Sequence, residues 1–130
     1  MKRLVFMSTC SVYGFNEETC DEDTMPNPLN EYSQHKVLGE KVIKENVEDY
    51  LIFRMGTVYG WSPRMRFDTA VNKMVLDLFN ENKITVSGKE NKRPFIFIKD
   101  VVKAYLTILD ADIRKIGGEI FNVGSNEQNY

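Results

Sequence analysis

Tyr32 and Lys36 lie four residues apart in the segment E-Y-S-Q-H-K, and Thr9 follows an apolar run at residues 4–7. On a helix, positions i and i+4 share one face. A lysine ammonium near a phenol stabilises the phenolate, and such a tyrosine can exchange a proton with a substrate hydroxyl near neutral pH. The Thr9 hydroxyl, at a strand end, can orient the same oxygen. Together these residues predict proton transfer at a hydroxyl group.

Taken alone, the pair is more typical of a solvated helix face, because most exposed charged residues are only solvated. Among the six tyrosines, only Tyr32 has a lysine at this spacing. The function of the pair therefore depends on the elements around it.

Strands and helices alternate along the chain, which favours an α/β fold with a parallel sheet. Apolar runs predict strands at residues 4–7, 50–55, 84–86, 94–98 and 119–123. Helical spacing predicts helices at residues 32–46, 68–80 and 100–111. Polar or glycine-rich segments predict loops at residues 14–31 and 56–66 and a turn at 88–92.

Two aspartates are plausible helix N-caps, Asp68 for the second helix and Asp100 for the third. The inward face of the second helix is expected to consist of its apolar residues. These are Val71, Met74, Val75, Leu78 and Phe79.

Composition excludes several classes of function. The chain has 130 residues, enough for one domain, with 42% apolar and 28% charged residues and a net charge of −2. The sequence has no basic stripe, so it does not predict nucleic acid as a partner. No apolar run approaches the roughly 20 residues of a membrane helix. Cys10 and Cys20 show neither metal-ligand spacing nor a disulfide framework. A reduced, cytoplasmic compartment is expected, without a metal site.

Five segments together resemble one family. In order they are V-F-M-S-T-C-S-V-Y-G, E-Y-S-Q-H-K, F-R-M-G-T-V-Y-G, R-P-F-I-F-I-K-D-V and F-N-V-G-S. They are similar to the extended short-chain dehydrogenases/reductases, and more narrowly to the NAD-dependent nucleotide-sugar epimerases and dehydratases. The five motifs occur in the family's order and cover nearly the whole chain. The resemblance is thus far more specific than Tyr-x-x-x-Lys alone.

The resemblance implies a catalytic triad of Thr9, Tyr32 and Lys36. Tyr32 would take the proton from a sugar hydroxyl while hydride passes to the nicotinamide of NAD or NADP. Lys36 would bind the nicotinamide ribose. Ser8 and Gly56 would also lie against the cofactor, together with Tyr32 and Lys36.

For the substrate, a nucleotide-diphosphate sugar, the resemblance implies contacts from Thr57 and Arg93. Arg93 matches the arginine that binds the diphosphate, a task that suits its bidentate donors. Many members have Asn where this chain has Thr57, which still donates a hydrogen bond but reaches less far. The identity of the sugar is therefore left open.

A second departure concerns the two residues after Thr9. The family's 4,6-dehydratases have Asp and Glu there as acid and base for water loss, whereas this chain has Cys10 and Ser11. Neither replaces a carboxylate, so a 4,6-dehydratase is disfavoured. Cys10 is expected to be a small buried residue.

The family's Gly-x-x-Gly-x-x-Gly turn, which places the pyrophosphate at a helix N-terminus, does not occur in this sequence. The resemblance begins at what would be the fifth strand of a Rossmann sheet. Residues 1–66 are expected to form a partial Rossmann segment, and residues 67–130 a nucleotide-sugar-binding lobe with a return strand. NAD(P) affinity is expected to be weak or absent, and the chain alone inactive.

Without its family neighbour, the strand at residues 4–7 would have an open apolar edge. The chain is therefore expected to form a homo-oligomer or to pair with a complementary N-terminal chain. Three functions remain: an epimerase, a sugar 4-ketoreductase with the same triad, and a non-catalytic remnant or fragment that binds nucleotide sugar.

Overall fold

The computed structural model describes residues 3–86 and 92–125. The chain forms five strands, four helices and one 3-10 turn among these residues. In chain order they are β1 (Leu4–Thr9), the 3-10 turn (Cys10–Tyr13), α1 (Glu31–Asn46), β2 (Tyr50–Met55), β3 (Thr57–Tyr59), α2 (Ala70–Glu81), β4 (Phe95–Phe97), α3 (Ile98–Asp110), α4 (Ile113–Ile116) and β5 (Ile120–Val123).

Two parallel sheets organise these elements. The larger has the order β1-β2-β5, with Leu4 opposite Tyr50 and Ile52 opposite Ile120. The smaller pairs β3 with β4. Helix α1 connects β1 to β2, as parallel neighbours require. The predicted α/β fold with a parallel sheet is confirmed.

Strand β2 lies between β1 and β5 in the larger sheet, and its side chains are buried on both faces. Leu51, Ile52 and Phe53 expose at most 2% of their surface. Leu51 and Phe53 belong to the main core, which also contains Ile96, Val101 and other residues from α3 and β5. The predicted strand at residues 50–55 is confirmed with the same bounds, since a continuous apolar run is typical of a strand covered on both sides.

Strand β1 lies at one edge of the larger sheet among the described residues. The Leu4 amide donates to the carbonyl of Asp49 at 3.1 Å. Because backbone groups alternate sides along a strand, Leu4, Phe6 and Ser8 face β2. The amides and carbonyls of Val5 and Met7 then point to the open edge.

Two strand predictions need correction. Residues 84–86 are exposed and form no strand, because nothing on a neighbouring element pairs with them within the described chain. Conversely, β3 lies inside the predicted loop at residues 56–66, where its pairing with β4 makes it a strand. The predicted turn at residues 88–92 lies outside the described residues, apart from residue 92.

Both predicted N-caps are wrong. The N-cap position of α2 is occupied by Thr69, whose side chain makes no capping hydrogen bond, and Asp68 forms an ion pair with Arg66. Helix α3 begins at Ile98, directly after β4, so that Asp100 lies in its first turn.

The predicted inward face of α2 is also partly wrong. Val75, Leu78 and Phe79 expose 63%, 49% and 87% of their surface. Apolar spacing identified the stripe, but the described part of the chain packs no element over this portion of it.

Candidate active site

The parallel sheet brings the ends of β1 and β2 to one edge. Thr9 ends β1 and pairs with Met55, the last residue of β2, and Gly56 and Thr57 follow directly. The carboxyl edge of an open parallel sheet is where α/β proteins bind ligands. Helix α1 returns antiparallel to β1, so its first turn, with Tyr32, begins near this same edge.

Helix α1 starts where it does because Asn30 and Ser33 form a capping box. Lys36 extends to β1, and its Nζ donates to the Met7 carbonyl at 2.6 Å. That carbonyl faces the open edge of the sheet, so the ammonium satisfies an acceptor that β2 cannot reach. The same Nζ lies 5.0 Å from the centre of the Phe6 ring and 5.8 Å from that of Tyr32.

The structure therefore places Tyr32 and Lys36 side by side on α1, over the end of β1. Tyr32 exposes 57% of its surface, which leaves its hydroxyl reachable by a ligand. The Lys36 ammonium has three donors, of which the contact with Met7 uses one. Two remain for a hydroxyl-rich group such as a ribose.

Thr9 and Ser8 have different surroundings. The Thr9 hydroxyl accepts from the Ser11 amide at 3.2 Å and so begins the 3-10 turn. Ser8 is 5% exposed, and its hydroxyl donates to the Glu40 carboxylate. The hydroxyl of Ser8 is thus engaged inside the protein, although its backbone remains near the sheet edge.

Gly56, Thr57 and Arg93 meet around Pro94. The Gly56 amide donates to the Val123 carbonyl at 2.9 Å, and the Thr57 amide donates to the Pro94 carbonyl at 2.8 Å. Arg93 is exposed and precedes Pro94 directly. The two residues predicted to contact substrate therefore belong to segments that lie side by side, next to the carboxyl edge of the sheet.

A buried polar network lies behind the carboxyl edge of the larger sheet. Arg54 contacts Glu40 with two nitrogens, Nη2 to Oε2 at 2.8 Å and Nε to Oε1 at 3.1 Å. Its Nη1 donates to the Tyr13 hydroxyl at 3.0 Å, and this hydroxyl donates to Asn122 at 2.7 Å. The network joins α1, β2, β5 and the 3-10 turn. No buried side-chain nitrogen or oxygen in residues 3–86 and 92–125 lacks a partner.

Burial by itself would lower the pKa of Arg54, but its hydrogen bonds to Glu40 and Tyr13 outweigh burial and raise the pKa. Arg54 therefore stays charged. Burial raises the pKa of the Tyr13 hydroxyl, against the opposing effect of Arg54. Tyr13 thus remains a neutral donor to Asn122.

Sequence reasoning missed Glu40 and Arg54. Both left a signal: Arg54 is the single charge within an apolar strand, and Glu40 continues the series Tyr32, Lys36 at the same four-residue spacing. Charged residues are almost never fully buried unless paired, so Arg54 required a partner.

The prediction that Cys10 is a small buried residue is met only in part, because Cys10 is half-buried. Its thiol donates to the Arg54 carbonyl at 3.2 Å, and burial raises its pKa to about 11. Both cysteines are free thiols. Within the described ranges, no group of His, Cys, Asp and Glu side chains is arranged to hold a metal ion. Nor does any described helix have the length and apolar character to cross a membrane.

Comparison with known proteins decides the family. Residues 1–124 match the model of the NAD dependent epimerase/dehydratase family. The chain belongs to this family. It is 32% identical to an uncharacterized UDP-glucose epimerase of Bacillus subtilis strain 168, over 98% of this chain and 41% of that protein. It is 30% identical to human dTDP-D-glucose 4,6-dehydratase, over 97% of this chain and 36% of that enzyme.

Solved structures of family members confirm the Rossmann-type fold. UDP-glucuronic acid 4-epimerase from Bacillus cereus, in complex with UDP-glucuronic acid and NAD, superposes with a TM-score of 0.79 at 30% identity, over 95% of this chain and 40% of that one. An NAD-dependent NDP-hexosamine 5,6-dehydratase of tunicamycin biosynthesis gives 0.82 at 29% identity, over 95% and 41%. The chain thus spans about two fifths of the length of the relatives it matches.

The described residues fit one end of a dinucleotide. Lys36 keeps two donors, and Tyr32 is exposed beside it, as a nicotinamide ribose requires. No Gly-x-x-Gly-x-x-Gly turn for the pyrophosphate occurs in the sequence. The fit of the described residues is therefore to the ribose end of the cofactor, and the sequence carries no counterpart for the pyrophosphate end.

Proposed function

We propose that this chain carries the proton-transfer half of a nucleotide-sugar epimerase site. The observation that supports this most directly is the position of Lys36, which is bonded to Met7 on the strand that ends in Thr9 and lies beside the Tyr32 ring. A phenol and an ammonium side by side, near the strand end that carries a hydroxyl, support a site for proton transfer. The reaction class is oxidation of a sugar carbinol followed by reduction from the opposite face.

In the proposed mechanism, Tyr32 accepts the proton of the sugar hydroxyl as the carbon–hydrogen bond breaks. Lys36 stabilises the phenolate through its positive charge and holds the ribose with its free donors. Thr9 orients the substrate oxygen. NAD, when bound, supplies the hydride acceptor and then the donor. In the return step Tyr32 gives its proton back to the oxygen.

Thr57 and Arg93 are proposed to hold the diphosphate of the substrate. They lie on adjacent segments beside the sheet edge, and an exposed arginine can bind an anionic diphosphate through two donors. Because the diphosphate does not react, holding it allows the oxidised sugar to rotate within the site while the substrate remains bound.

The residues at the end of β1 favour an epimerase over a 4,6-dehydratase. Loss of water needs an acid and a base near the sugar, whereas Cys10 is a neutral thiol bonded to a backbone carbonyl. A sugar 4-ketoreductase would use the same three residues, and a remnant that binds nucleotide sugar without turnover would keep only Thr57 and Arg93. We further propose a reduced, cytoplasmic setting, consistent with two free thiols.

The proposal is tested in two steps. Calorimetric titration of the chain with NAD is expected to show weak or no binding, because nothing in the sequence cradles the pyrophosphate. The chain is then joined to a glycine-rich dinucleotide-binding segment of the family and assayed with UDP-sugars. Product formation without net consumption of NADH indicates an epimerase, and net consumption with a 4-keto sugar indicates a reductase.

In that joined protein, Tyr32→Phe removes the proton acceptor and is expected to lower kcat by about a hundredfold or more. Tyr105→Phe, on α3, is the matched control and should retain the rate. A Tyr32→Phe rate within about tenfold of the unmodified protein would show that the acid/base assignment is wrong.

A further inference from the structure

Glu40 is the most deeply buried acid whose partners the structure defines, and the proposed reaction does not use it. It exposes 3% of its surface and lies one helical turn beyond Lys36. Residues at four-residue spacing occupy one face of a helix, so Tyr32, Lys36 and Glu40 form a single row along α1. The row faces β1, because Lys36 and Glu40 both contact that strand.

Both carboxylate oxygens of Glu40 are engaged. Oε1 accepts from the Ser8 hydroxyl and from Arg54 Nε, and Oε2 accepts from Arg54 Nη2 at 2.8 Å. Ser8 directly precedes Thr9, and Arg54 stands opposite Ser8 in the neighbouring strand. One side chain thus ties α1 to β1 and β2 at matching positions near their carboxyl ends.

The remaining guanidinium nitrogen of Arg54 forms hydrogen bonds with the segment after Thr9. Arg54 Nη1 donates to the Tyr13 hydroxyl at 3.0 Å and to the Glu22 carbonyl at 3.2 Å. Tyr13 ends the 3-10 turn that the Thr9 hydroxyl begins. The Tyr13 end of this turn is therefore bonded to the same guanidinium that holds Glu40 of α1.

We infer that Glu40 is a positioning residue that sets the register of α1 against β1, and so places Lys36 and Tyr32 opposite Thr9. The inference rests on the proposed function only for why that placement matters. Charge-assisted hydrogen bonds in a buried site are strong and directional, which suits them to fixing register. In this arrangement the Ser8 hydroxyl serves to hold Glu40 rather than to bind the cofactor.

The test reads the position of Lys36 without requiring cofactor or turnover. Lys36 is protected while its Nζ is bonded to Met7, so its rate of reductive methylation, followed by mass spectrometry of peptides, reports how often that bond opens. Exposed Lys103 serves as the internal reference. In Glu40→Gln the Lys36 rate is expected to rise about tenfold, the effect of losing one charge-assisted hydrogen bond.

The matched control is Val101→Ala, which removes buried volume on α3 away from the network. It should destabilise the chain without changing the methylation of Lys36, because a purely structural loss leaves the local register intact. A Lys36 rate in folded Glu40→Gln within about twofold of the unmodified chain, or an equal rise in Val101→Ala at the same folded fraction, overturns the inference.

If Glu40→Gln does not fold, Ser8→Ala decides, since it removes one donor and leaves the ion pair in place. The Lys36 rate should then rise by about threefold, as for a weaker hydrogen bond, and an unchanged rate overturns the inference. The proposed function fails separately: an active Tyr32→Phe protein refutes the acid/base assignment while the Lys36 measurement stands.

Discussion

At the scale of single residues, Arg54 is a guanidinium inside an otherwise apolar strand, with 2% of its surface exposed. Removing a charge from water costs several kcal/mol, and an opposite charge offsets this only with good geometry and further hydrogen bonds. Arg54 has two bonds to Glu40 and others to Tyr13 and Glu22. The exposed pair of Arg66 and Asp68 differs, because water screens it and such pairs contribute little.

The difference between these two pairs is measurable. Arg54→Met leaves Glu40 buried without its cation and is expected to lower the free energy of unfolding by about 3–5 kcal/mol. Arg66→Met, at the exposed pair, should change it far less, because water already screens this pair. Urea unfolding followed by circular dichroism compares them. Equal losses would mean that the Arg54 network is not buried in solution.

The Cys10 thiol gives a prediction about pH. Burial raises its pKa from 9.0 to about 11 in the folded chain. Because only the thiolate is nucleophilic, at pH 8.5 the folded chain should alkylate at Cys10 about a hundredfold more slowly than the urea-unfolded chain. Above pH 9 the unfolded chain loses this proton first, so the free energy of unfolding should fall as pH rises towards 11.

The alkylation experiment uses Cys20→Ser so that iodoacetamide reports Cys10 alone. Matched rates in the folded and unfolded chains at pH 8.5 would show that Cys10 is exposed. The same outcome would weaken the case against a catalytic role for Cys10.

At the scale of elements, the junction between the two sheets depends on Gly56. It connects β2 to β3, and a Cβ at this position would lie 2.9 Å from the carbonyl oxygen of Pro94, which precedes β4. That oxygen also accepts the Thr57 amide, so it has little freedom to move. The close approach keeps the predicted substrate residues Thr57 and Arg93 on neighbouring segments.

Gly56→Ala is therefore expected to lower the free energy of unfolding by about 1–3 kcal/mol, as overpacking does in cores. Gly124→Ala is the control, because a Cβ there would meet nothing nearer than 3.6 Å. Urea unfolding of both variants makes the comparison. If the two lose equally little, the backbone near Pro94 yields more readily than the geometry indicates, and a steric reason for glycine at this position is ruled out.

At the scale of the whole molecule, β1 lies at an edge of the larger sheet, with no strand on its outer side among the described residues. Val5 and Met7 direct backbone groups away from β2, and only the Met7 carbonyl has a described partner, Lys36. An edge with unpaired backbone groups is a template for another strand. We propose that the chain associates through this edge, with a second copy or with a complementary N-terminal chain.

Sedimentation velocity at tens of micromolar is expected to show association. Val5→Pro removes an amide that faces the open edge, so it should reduce association while the fold persists. Phe6→Pro is the contrasting control. The Phe6 amide faces β2, so removing it should unfold the chain. A clean monomer before substitution, or unfolding by Val5→Pro, would contradict this arrangement of the edge.

Local pattern was enough for much of the fold and for selecting the candidate site residues. The spacing of Tyr32 and Lys36, the position of Thr9, and the apolar run of β2 all depend on neighbours within a few residues, where helix and strand periodicity act. Resemblance of the same segments identified the family. The short strand β3 was missed, and residues 84–86 were assigned wrongly, because in both cases the outcome depends on a partner distant in the chain.

The amino-acid sequence thus determined the family of this protein and the elements that carry the candidate residues. Only the tertiary structure decided that Lys36 bonds to Met7, that Ser8 donates to Glu40, and that Arg54 is the partner of Glu40. These contacts join residues 29, 32 and 14 positions apart. Their physical reason is that a buried charge or carbonyl must find a partner, and folding alone brings the partner within reach.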